Sequence, residues 1–111
     1  MDHQLTIQLA ELSRMLMQAA DDLERLDEQA VRARQVFEVA FARAFLTSDG
    51  AMDARKQQAV LATAAEKLDA EIASQQLRAC QERLRVIRTR IDVGRSLGAA
   101  QRAEFTAGIG T

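Results

Sequence analysis

The chain has 111 residues, 48% hydrophobic and 28% charged, and its 15 Lys and Arg against 16 Asp and Glu leave a formal net charge of -1. That length suits one domain and not two with separate cores. The near-neutral total excludes a global attraction to nucleic acid or an anionic membrane, so any such attraction has to be local.

Proline is absent, and the five glycines all lie at Gly50 or beyond Val93. A sheet protein needs turn residues at the end of each strand, so this distribution points to an all-α fold. The start, Met1-Asp2-His3-Gln4, lacks the basic residues and apolar run of a signal peptide. No apolar stretch approaches the roughly 20 residues needed to span a bilayer. The expectation is a cytoplasmic protein with no membrane partner. Cys80 is the only cysteine, which rules out an intramolecular disulfide or a multi-cysteine zinc site and reads as a small buried apolar residue.

The first element is a long helix over about residues 4–46. Leu5, Leu9, Leu12, Leu16, Ala19, Leu23, Leu26, Ala30, Ala33, Phe37, Ala40 and Ala44 alternate in steps of four and three, which is a heptad seam. Polar residues such as Glu11, Asp22, Arg25 and Glu38 flank it. Such a helix would be roughly 65 Å long and needs a partner of similar length. Residues 47–50, Thr47-Ser48-Asp49-Gly50, replace the pattern with turn and cap residues, and Asp53 then falls in the first turn of a second helix over about 51–104. Leu61, Ala65, Leu68 and Ile72 begin a second stripe. Cys80, Leu84, Ile87, Ile91, Gly94 and Gly98 continue one, with a stutter near Gln76 where the phase slips.

The expected fold is therefore a single domain of two long antiparallel helices, a helical hairpin or coiled coil. Folding about residue 49 places Phe37 near Leu61, Ala30 near Leu68, Leu26 near Ile72, and Leu12 near Val86 or Ile87. Two helices make a thin layer, so self-association into a bundle, with a dimer favoured, is expected. Two readings of Gly94 and Gly98 are open: close approach of helix backbones, or a loosened helix that lets residues 99–105 turn away as a short segment. Residues 106–111 read as a flexible tail.

Catalytic chemistry has no foothold. His3 stands without a paired Asp, Cys or second His, and the acids Asp21, Asp22, Glu24, Asp27 and Glu28 form a solvated helix surface. Gly50 lacks the context of a phosphate-binding loop, and no serine has a base beside it. No catalytic, cofactor-binding or metal-binding residue is assigned.

Two patterns point to partners. Phe37, Phe41 and Phe45 share one side of the first helix before the turn, and they read as core packing or, with Leu46, as a protein-contacting tip: Phe41, Phe45 and Leu46. Charge is also unevenly placed. Residues 1–30 carry seven acids and two arginines, whereas residues 78–102 carry seven arginines and two acids. Arg78, Arg85, Arg88, Arg95 and Arg102 recur beside the seam, and Arg83 and Arg90 line its other edge. These arginines suit pairing with acids on neighbouring helices, contact with a phosphate backbone, or contact with an acidic protein.

The stretch Ala42-Arg43-Ala44-Phe45-Leu46, with Gly50, Asp53-Ala54-Arg55-Lys56, Ile87-Arg88-Thr89-Arg90-Ile91-Asp92 and Arg95-Ser96, resembles small uncharacterised proteins of tailed bacteriophages and prophages. The resemblance covers roughly residues 36–98. It implies a phage accessory protein, encoded among early replication and recombination genes and working in the cytoplasm of a bacterial host. No functional residue carries over from it. The expected function is a non-enzymatic interaction or adaptor module. The alternatives are a nucleic-acid-binding accessory factor using the arginine stripe, and a virion structural or scaffolding subunit.

Overall fold

A computed structural model describes residues 3–109, which are all-α: α1 spans His3–Thr47, α2 Met52–Ala62 and α3 Ala64–Ile109. Helix-forming residues fill these spans, and among the described residues the one left-handed backbone position, at Gly50 with φ 106°, falls between α1 and α2. No helix among the described residues is long and apolar enough to cross a membrane.

The α1 seam is as expected. All twelve positions from Leu5 to Ala44 are buried or half-buried. The other α1 residues that escape full exposure are Asp22, Phe41 and Phe45.

The second stripe is corrected. Leu61, Ala65, Leu68 and Ile72 are exposed, and the seam is formed instead by the buried or half-buried Ala59, Thr63, Glu66, Ala70, Ala73 and Leu77, with Ser74 half-buried beside it. These run in steps of four and three directly into Cys80, Leu84, Ile87, Ile91, Gly94 and Gly98, so the seam has no stutter. Gln76 is exposed one position beside it, and α3 passes through without a break. The seam half nearer the turn is built mostly from small residues, Ala59, Thr63, Ala70 and Ala73, which is why the larger Leu61, Leu68 and Ile72 drew the sequence reading off phase. The pairing of Phe37 with Leu61 is corrected too, since Phe37 shares a groove with Ala70.

The second helix is interrupted once, at Thr63 (φ -116°, ψ 19°), instead of running whole from residue 51. The Thr63 backbone N–H donates to the Ala59 carbonyl at 3.1 Å, the Thr63 hydroxyl donates to the same oxygen at 2.7 Å, and Lys67 N–H donates to the Thr63 carbonyl at 3.0 Å. A hydroxyl competing for the carbonyl four residues back distorts the helix locally while the backbone bonds on either side persist. Beyond it α3 is continuous through Gly94 and Gly98 to Ile109, so residues 99–105 do not turn away and residues 106–109 are helical, not a tail. Residues 110 and 111 lie outside the described residues.

The chain divides into two compact units, one formed by the start of the chain to Asp22 with the chain from Cys80 onward, the other by Leu23–Ala79. In the first, α1 and α3 run antiparallel. The Cys80 thiol donates to the Ala19 carbonyl at 3.4 Å, while Gly94 lies against Leu9 and Leu5. A Cβ at Gly94 would stand 2.6 Å from Leu9 Cδ2, so this glycine permits close backbone approach.

In the second unit the turn is secured by side chains that donate to backbone carbonyls in the last turns of α1 and in the loop after it. Thr47 Oγ1 donates to the Arg43 carbonyl at 2.8 Å and Ser48 Oγ to the Ala44 carbonyl at 2.6 Å. Arg55 reaches back from α2, donating to the Phe45 carbonyl at 3.1 Å through Nη2 and placing its guanidinium 4.7 Å from the Phe45 ring centre. Gln58 Nε2 donates to the Asp49 carbonyl at 3.3 Å.

Candidate functional site

The heptad register sorts the arginines. Arg83 directly precedes the seam residue Leu84 and Asp22 directly precedes the seam residue Leu23, and the two meet, with Arg83 Nη2 donating to Asp22 Oδ2 at 3.3 Å. Residues that precede seam positions therefore share one edge of this unit in its antiparallel packing, and residues that follow them share the other. Arg88 and Arg95 follow Ile87 and Gly94, and Arg102 lies seven residues further on. The α1 residues of this unit on that same edge are Thr6, Ala10, Ser13, Met17 and Ala20, which follow Leu5, Leu9, Leu12, Leu16 and Ala19. None of these is acidic.

Arg85 stands one row aside and is paired on its own helix, donating through Nε to Glu82 Oε2 at 3.0 Å and through Nη2 to Glu82 Oε1. This bond holds the Glu82 carboxyl below the usual carboxylate range, with Arg85's charge adding to the effect, and raises the Arg85 guanidinium. Arg78 belongs to the other unit, where Arg34, Phe37, Lys67, Glu71, Ser74 and Arg78 line an open groove of about 270 Å³. The five expected contact arginines are all exposed but are thus divided: three share an edge, Arg85 is held by Glu82, and Arg78 lies apart.

At the turn, Phe41 and Phe45 are half-buried and Phe37 meets Phe41 edge-on, with ring centres 6.1 Å apart. Arg55 holds Phe45. The tip residue left open is Leu46, 74% exposed, and Met52 at the start of α2 is exposed as well.

Sequence reasoning missed three features of this second unit. Arg55 gave a signal only as part of a charged pair after the turn. Glu66 occupies a seam position, and its buried Oε2 has no hydrogen-bond partner; it lines a groove with Val36, Val39, Ala40 and Arg43. Leu61, Leu68 and Ile72 form a stripe on the face away from the seam, 78%, 56% and 45% exposed.

Among the described residues no cluster of His, Cys, Asp and Glu has the makings of a metal site. Cys80 is buried, with Arg83 Nη2 at 3.5 Å from its sulfur, and is not presented to solvent. Comparison of the chain with protein-family models, curated proteins and solved structures gives no match.

Proposed function

We propose that the chain is a non-enzymatic interaction module, an adaptor or accessory factor built as a helical hairpin and working as a homodimer. The observation that supports this best is the exposed stripe Leu61, Ala65, Leu68 and Ile72, spaced by four, three and four residues on one face of α2 and α3. That spacing is what a second helix reads. Burying three large aliphatic side chains at roughly 1.5 to 3 kcal/mol each is a substantial drive to association.

A second copy is the occupant that suits the stripe. An isologous contact sets the stripe against its own copy, so both copies cover the same residues at the same period. The unit's own α2 and α3 seam is Ala59, Thr63, Glu66, Ala70, Ala73 and Leu77, with Leu77 its one large aliphatic side chain, so its interior is thin and gains from another layer. An adaptor role accords with the resemblance to phage accessory proteins.

Sedimentation at tens of micromolar should give a dimer, and the double substitution Leu61→Glu with Leu68→Glu should give a monomer of unchanged helical content. A strict monomer of the unsubstituted protein at that concentration would overturn the reading.

A further inference from the structure

We infer that the edge of α3 carrying Arg88, Arg95 and Arg102 binds the phosphate backbone of duplex nucleic acid without reading its sequence. This goes beyond the dimer reading, and rests on a different unit of the chain. The three arginines are exposed, and among the described residues none of them makes an ion pair. They recur every seven residues, about 10.5 Å apart along a helix, in one row.

Among the described residues of the unit, no acid forms an ion pair with the row. The α1 residues on that edge, Thr6, Ala10, Ser13, Met17 and Ala20, include no acid, while Glu11 is occupied by Arg14 and Asp22 by Arg83 on the opposite edge. On α3, Glu82 is taken by Arg85, and Asp92 is the acid that lies among the row. A net positive edge is left.

The surroundings favour a polyphosphate over a protein. Between Arg88 and Arg102 the same side of α3 carries Thr89, Asp92, Ser96 and Ala99. The aromatic Phe105, 70% exposed, follows one turn beyond Arg102, a single ring at the end of the row that does not supply a cluster of anchors along it. Guanidinium groups bind phosphate oxygens through paired N–H donors and need no apolar anchor. Without aromatic rings interleaved in the row there is no platform for unstacked bases, so the backbone of a duplex is the matching ligand.

The test is fluorescence anisotropy of a labelled mixed-sequence DNA duplex of about three helical turns. Affinity should fall steeply between roughly 50 and 200 mM salt. The triple substitution Arg88→Gln, Arg95→Gln and Arg102→Gln should weaken binding at least about tenfold and flatten the salt slope by about 2.7, near 0.9 for each lost contact. Arg32→Gln, at an arginine already held by Glu28, should leave binding unchanged. Absence of duplex binding at about 50 mM salt, or a slope and affinity indifferent to the triple substitution, would overturn the proposal. So would polyglutamate displacing the duplex as well as unlabelled DNA does, which would assign the edge to an acidic protein instead. Because the substituted side chains are exposed, circular dichroism should match the parent; if it does not, the salt dependence of the parent protein alone decides.

Discussion

Gly94 shows how one absent side chain sets a contact. The space a Cβ would occupy is filled by Leu9, and Leu5 closes the far side at 3.9 Å. Gly94→Leu is therefore expected to lower stability by about 1–3 kcal/mol through overpacking. Gly108 is the contrasting case, with nothing within 4 Å of a built Cβ; Gly108→Ala should gain up to about 1 kcal/mol from helix propensity. Thermal unfolding of the two variants checks both signs. The Glu82 and Arg85 pair yields a pH signature. A carboxyl whose folded pKa lies below its unfolded value stabilises the fold above the unfolded pKa, and this contribution disappears as pH falls through the folded pKa. The melting difference between Glu82→Gln and the parent should accordingly be present near neutrality, small because the pair is solvent-exposed, and vanish in acid.

At the scale of the helix, the two halves of the second arm separate period from hydrophobicity. Ile87, 2% exposed, and Leu68, 56% exposed, are both aliphatic residues in α3, yet they stand on different faces. Ile87→Ala should cost about 2–5 kcal/mol by leaving a cavity in the seam, whereas Leu68→Ala should change monomer stability by less than about 0.5 kcal/mol. Denaturant unfolding at low protein concentration checks the pair, and equal costs would put the seam in the phase of Leu61, Leu68 and Ile72. The α1 seam was legible because its large residues and its period agree at Leu5, Leu9, Leu12 and Leu16. The start of the second arm was not, because Ala59, Thr63, Ala70 and Ala73 bury less apolar surface than the leucines beside them. Extending the phase of Cys80, Leu84 and Ile87 backward through Leu77 is the signal that finds them.

For the molecule as a whole, dimerisation has a thermodynamic signature of its own. If two copies share the Leu61, Leu68 and Ile72 stripe, the melting temperature should rise with protein concentration, and the Leu61→Glu, Leu68→Glu variant should lose that dependence. The arginine edge makes a separate demand, for polyanion instead of a second copy, and salt separates the two because apolar burial is not screened. The sequence by itself determined the helical class, the turn at Gly50 and the α1 seam, since propensity, period and a single break in pattern are local properties of the chain. Only the tertiary structure decided which face of α2 and α3 is inside, that Thr63 interrupts the helix, that Gly94 admits Leu9, and that Arg83 meets an acid while Arg88, Arg95 and Arg102 do not. Those outcomes depend on what the opposite helix presents at each position, and a single strand of sequence does not carry that information.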